Sequence, residues 1–342
     1  MSRLFEDARE SSTFSMRLNA THLLGRIFGC LLGQEKGKER VKTLATELLM
    51  TITTLKVLAE RKLELRMLLV LALFNADASL GCWVLAEEET DAAVRRLLAS
   101  GGADPQIVVA EVFNRASTTE TGRACLRPYV LDHTLVCLMK TSGAPFEARV
   151  AAAAAFTKLG LAAKTLPSTS TELTDLLNIA SSGLEQATAS LSSPSPSFDG
   201  TRLRTSAIEG SVVEILSCLA TRTTLKRELT FGSNRCKACI RLLLALVQQH
   251  IDEGSRTSTI TSTASITKTT INSICSISSS SGAYDKVWYG VAFVLASLTL
   301  SNDELRKEAL REKGIAPEEF EQLRKIQEMQ QVVRQDWNVD NQ

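Results

Sequence analysis

Cys236-Lys-Ala-Cys239 is the one cysteine pair in this chain whose spacing suits a metal ion or a redox dithiol. Two thiolates three residues apart hold zinc when two further ligands close the tetrahedron. They cycle as a dithiol when they follow a strand in a βαβ unit. Here His250 offers only one further ligand, no second such pair follows, and no strand is predicted before Cys236. The pair reads as the opening turn of a helix over Lys237–Gln249. His22, His133 and His250 share no spacing that makes a site. Gly33-Gln-Glu-Lys-Gly37-Lys38 lacks the spacing of a phosphate-binding loop and has no strand ahead of it. Glu87-Glu88-Glu89 reads as a solvated helix face rather than a pair of carboxylates for acid–base work. None of the many serines and threonines lies in a nucleophile elbow. The sequence therefore offers no catalytic residue, no cofactor-binding residue and no metal ligand, and the chain is read as a non-enzyme.

What the sequence does offer is a recurring kind of helix, apolar nearly all the way round. Copies run Gln106–Ala116, Arg149–Gly160, Leu203–Ala220 and Lys286–Thr299. Aligned on Phe113, Phe156, Leu216 and Leu295, they lie 43, 60 and 79 residues apart. The first interval is one armadillo or HEAT repeat, and the last is close to two. A helix without a wet face needs cover on both sides, which stacked neighbours supply. The predicted fold is all-α: an armadillo/HEAT-like α-solenoid, a right-handed superhelix of stacked helical repeats. Asp104-Pro105 is read as an N-cap and first helical position, with Pro145 and Pro317 in similar places. Asp285 is read as the cap of the helix from Lys286, and Gly160 and Gly314 as helix stops. Gly25, Gly29, Gly33 and Gly37 fall four apart, which suits tight packing or a helix ending near Gly33.

Composition agrees with helices. Of 342 residues, 44% are apolar and only 5% aromatic, so Leu, Ala and Val must fill the interior. The 39 basic and 38 acidic residues nearly cancel, which gives no electrostatic case for nucleic acid or an anionic membrane. Residues 1–18 lack the apolar centre of a signal peptide, and the longest apolar run, Met67–Phe74, is too short for a bilayer. Eight scattered cysteines suit buried thiols in a reducing compartment, so a soluble, cytoplasmic protein is expected. Residues 1–190 are read as N-terminal helical repeats, 191–200 as a Ser/Pro loop, and 201–342 as the start of a second array. Within that array, 17 of the 27 residues in 255–281 are Ser or Thr, and the segment is read as a disordered insert.

Particular residues go further than periodicity. Arg149…Lys158-Leu159-Gly160 comes first. It is followed by Arg202…Ala207-Ile208-Glu209-Gly210 with Leu219 and Lys226, and then by Tyr289-Gly290…Leu295…Leu298-Thr299. In this order they resemble the UCS family of myosin-directed chaperones over about residues 145–330. Glu318-Glu319…Leu323-Arg324-Lys325 is similar to the charged helix that follows the Tyr-Gly helix in that family. The chain departs from the pattern at Ser297, where the family usually has Asn, in a longer Glu209-Gly210 helix, and in the Ser/Thr insert. The tetratricopeptide domain of animal members, which recruits a heat-shock chaperone, has no counterpart here. The family's array runs on beyond the Tyr-Gly helix, so this chain is expected to be truncated relative to it.

The resemblance implies a myosin chaperone or co-chaperone that binds the motor domain and assists its folding or prevents its aggregation. A heat-shock chaperone is a further partner it suggests. The alternative is a general armadillo/HEAT scaffold with a non-motor partner. Repeat register adds candidate contact residues. Arg115 and Lys158 follow Phe113 and Phe156 in matching places, and Ser297 lies near the equivalent place after Leu295. Trp288 and Tyr289 are candidate anchors for a partner.

Overall fold

The computed structural model describes residues 13–163, 170–192, 201–221, 238–246, 248, 290–295 and 297–298. Those residues are helices and their connections, with no strand among them. Eleven helices are α1 (Phe14–Leu32), α2 (Gly37–Thr54), α3 (Ala59–Ala76), α4 (Ala78–Leu85), α5 (Glu88–Ser100), α6 (Ala103–Ala116), α7 (Glu120–Leu131), α8 (Thr134–Lys140), α9 (Phe146–Ala163), α10 (Ser170–Ser192) and α11 (Thr201–Ala220). Residues 238–246 and 290–295 are also helical.

Local chemistry sets several boundaries. The Thr13 hydroxyl accepts from the Met16 amide at the start of α1, and Thr119 accepts from Gly122 at the start of α7. Asp77 accepts from the amides of Ser79 and Leu80, so one residue separates α3 from α4. The α1 helix stops at Gly33, as the sequence suggests. Asp104 is not a cap, however. The helix α6 begins at Ala103, two residues before Pro105, with Gly102 at the N-cap, and the Asp104 carboxylate instead accepts from Arg17 Nη2 at 3.1 Å.

The long helices pack in chain order. The α3 helix lies against α1 and α6, α6 against α9, and α9 against α11. Residues 290–295 continue the sequence: Gly290 lies on Val213 and Ser217 of α11, and the Ser217 hydroxyl donates to the Gly290 carbonyl at 3.4 Å. A side chain at 290 would overlap Val213, which is why glycine serves there. The remaining helices cover this row. The α4 and α5 helices lie on α3, α7 and α8 lead into α9, and α10 lies on α9 and α11. Cys239 reaches α10, its thiol 3.6 Å from the Leu177 carbonyl.

Burial follows from that order. In α3 every residue from Glu64 to Phe74 is buried, because helices press on it from several sides. In α9, Ala151 to Ala155 are all buried, and their small side chains let α6 and α11 approach closely. At about 1.5–3 kcal/mol for each large side chain withdrawn from water, the row of Leu, Val and Phe residues is the main source of stability. A single apolar cluster runs from Phe14 to Val294 and passes from α10 to α11 across the predicted Ser/Pro loop. Residues 193–200, the insert at 255–281, Cys236, His250, Asp285 and residues 299–342 lie outside the described residues. Among the described residues no helix is long and apolar enough to cross a membrane.

The charged residues buried with this core are paired. Arg17 on α1 meets Glu64 on α3 at 2.8 Å, and Glu64 also accepts from Arg61 at 2.7 Å. Arg66 is held by Glu87 at 2.6 Å, by Glu89 at 2.8 Å and by the Thr90 hydroxyl at 2.9 Å. The acidic run at 87–89 is therefore more than a solvated face. Two of its carboxylates neutralise a guanidinium that α3 buries, a charge that would be costly if left alone.

Candidate functional site

The C-terminal halves of α6 and α9 meet the middle of α11 in a seam of polar groups within the apolar row. Its centre is Asn114, buried on α6. The Asn114 side-chain amide donates to Ser211 Oγ on α11 at 3.3 Å. Its Oδ1 accepts from Lys158 Nζ on α9 at 2.8 Å, and its backbone carbonyl lies 3.3 Å from the same amine. Lys158 Nζ also reaches Glu214 Oε2 on α11 at 2.8 Å. One amine and one amide thus tie three successive long helices together. Hydrogen bonds to a charged group each contribute roughly 1.5–3 kcal/mol net.

Glu111 and Arg115 continue the seam along α6, one turn apart. Burial holds the Glu111 carboxyl above the usual carboxylate range, and Glu214 adds to the effect, while Arg115 and Lys158 oppose it. Arg115 Nε is buried and has no hydrogen-bond partner among the described residues. Across the seam, burial pushes the Cys218 thiol up to about 11. His22 on α1 is held below its ordinary value by burial and by the Arg115 charge, and its ring lies 3.5 Å from the Asn75 amide of α3.

The structure brings two of the sequence candidates together and leaves others apart. Arg115 and Lys158 both belong to the seam. The Lys158 amine is engaged inside the chain, however, and its side chain is only 13% exposed. Ser297 is buried at 4% and presents no surface. Lys158 and Ser297 therefore do not project outward as repeat register suggests; the Lys158 amine is taken up by Asn114 of α6 and Glu214 of α11, and Ser297 is buried. Trp288 and Tyr289 lie outside the described residues.

Sequence reasoning passes over Glu111, Asn114 and Glu214. The signal for the first two was present: Glu111, Asn114 and Arg115 fall at i, i+3 and i+4, a polar stripe on an otherwise apolar helix. Chemically the seam combines two carboxylates, two cations and an amide, with no nucleophile activated by a neighbouring base. Among the described residues no group of three or more His, Cys, Asp or Glu is placed to hold a metal ion. Such an arrangement orients helices and presents charge. No protein-family model, curated protein or solved structure matches this chain.

Proposed function

We propose that this chain is an armadillo/HEAT-type α-solenoid that binds another protein along its stacked helices, with a myosin motor domain as its client. The observation that carries the binding reading is the packing order. Helices α3, α6, α9 and α11, then residues 290–295, each lie against the next in chain order, which is how a layered stack is built. A layered stack offers a long, stiff surface on which a client segment can be held without nucleotide, metal or covalent chemistry. The identity of the client rests on the resemblance to the UCS family. Arg149, Lys158 and Gly160 on α9, and Ile208, Glu209 and Gly210 on α11, fall on two adjacent helices of that row.

The test is to heat a purified myosin motor domain with and without this chain and follow light scattering, alongside co-precipitation of the pair. The expected result is suppressed scattering and a recovered complex. A folded sample that neither binds the motor nor slows its aggregation overturns the chaperone reading, and capture of a non-motor partner in its place returns the chain to the scaffold alternative.

A further inference from the structure

A cleft of about 390 Å³ opens between α8, α9 and α10, away from the polar seam. Its volume falls within the range of ligand-holding clefts. Met139 and Ile179 are buried in its floor, with Phe146 partly buried beside them. Lys140 and Asp175 pair across it at 3.2 Å and cancel each other's charge. That leaves Arg149. Its Nε donates to the Met139 carbonyl at 3.2 Å, which fixes the half-buried guanidinium at the end of α8. No ion pair holds Arg149 among the described residues, so the cleft carries a net positive charge beside an apolar floor.

The wall supplied by α10 has a regular geometry. Asn178, Ser182 and Gln186 all line the cleft, four residues apart. Along a helix that spacing is about 6 Å per step. An extended chain repeats its like-facing peptide groups at about 6.7 Å. Asn178 and Ser182 in such a row match alternate peptide groups of an extended segment, and rotation about their side-chain bonds absorbs the small mismatch. Arg149 and Phe146 are one turn apart on α9, which matches two side chains two residues apart on the same edge of that segment.

We infer that this cleft is a docking site for an extended peptide segment of a partner protein, with an apolar side chain on Met139, Phe146 and Ile179 and a carboxylate two residues away on Arg149. The α10 side chains hold the main chain, and Arg149 sets the requirement for an acid. The cleft lies on α9 and α10 of the proposed stack, but its probe carries no motor sequence, so the peptide titration and the motor-domain test can fail independently.

The probe is a fluorescein-labelled nonapeptide of serine and threonine that carries one leucine and, two residues on, one aspartate, titrated by anisotropy against the full chain. Its lysine-for-aspartate and alanine-for-leucine versions serve as comparisons. The aspartate peptide should bind saturably and at least tenfold more tightly than the lysine version. Arg149→Gln should erase that preference. Asn178→Ala, at an exposed position, should weaken binding two- to fivefold with the melting temperature unchanged. Equal binding of the aspartate and lysine peptides overturns the inference, as does a preference that survives Arg149→Gln in a folded variant. Tighter binding by a helix-locked version of the probe overturns the extended geometry.

Discussion

At the scale of single residues, the seam depends on how buried polar groups are satisfied. Asn114 serves Lys158 and Ser211 at once, so replacing it with leucine removes an acceptor from a mostly buried amine and a partner from a buried hydroxyl. The expected cost of Asn114→Leu is about 2–3 kcal/mol, read from the urea midpoint, whereas Ser211→Ala should cost about 1 kcal/mol or less. Glu111 behaves in the opposite sense. Its folded carboxyl titrates above the ordinary value of 4.5, so the folded state binds more protons there than the unfolded state. Stability attached to this group is therefore full below about pH 4.5 and is lost as pH rises through the folded value. Glu111→Gln should stabilise the protein at pH 7 by about 1 kcal/mol, and the advantage should vanish near pH 4. His22 bends the curve the other way. Its folded value lies below 6.5, so its contribution is present above pH 6.5 and is lost on acidification. His22→Gln should flatten that acid-side loss, and melting the two variants across pH 4–8 separates the two groups.

At the scale of elements, the close approach of α1 to α3 makes a sharp comparison possible. A side chain carbon at Gly25 would sit 2.9 Å from Asn75 Cβ and 3.0 Å from the Ala72 carbonyl oxygen, while one at Gly29 would meet nothing within 4 Å. Gly25→Ala should cost about 1–3 kcal/mol by forcing the helices apart. Gly29→Ala should be neutral or gain up to about 1 kcal/mol through helix propensity alone. Thermal melts followed by circular dichroism decide both. These helices also show what the sequence made legible. The α6, α9 and α11 helices and residues 290–295 were readable because a helix with no polar face announces burial by itself. The α3 helix was not placed in that row, although Met67–Phe74 is the longest apolar run in the chain and Phe74 precedes Phe113 by 39 residues, close to one repeat. Taken by itself that run invites comparison with a membrane span, because the charged first half of α3 hides its kinship with the apolar repeat helices. The seam was half legible. Repeat register located Arg115 and Lys158, but the polar groups that engage Lys158 lie 44 and 56 residues away along the chain, a separation that no local pattern reveals.

At the scale of the whole molecule, the question is whether stability is shared globally or passed between neighbours. In a layered stack each helix layer touches only the next, so damage to one layer stays near it, whereas a globule with one shared core loosens everywhere. The α3 and α11 helices are separated in the row by α6 and α9. Leu216 on α11 is fully buried, so Leu216→Ala should remove about 2–5 kcal/mol locally through lost contacts and the cavity left behind. Amide hydrogen exchange measured by mass spectrometry on the variant and the parent chain reads the result helix by helix. Peptides from α9, α10 and α11, which pack on one another, should exchange faster, by up to 10³-fold where opening is local. Peptides from Glu64–Phe74 of α3, buried and separated from α11 by α6 and α9, should keep the parent's rates within about threefold. A uniform rise across α3, α6, α9 and α11 would show one cooperative core, and the stacked architecture behind the proposed binding surface would then have to be abandoned. Protection that decays with distance from α11 is the behaviour a stack requires, because α3 is linked to α11 through α6 and α9.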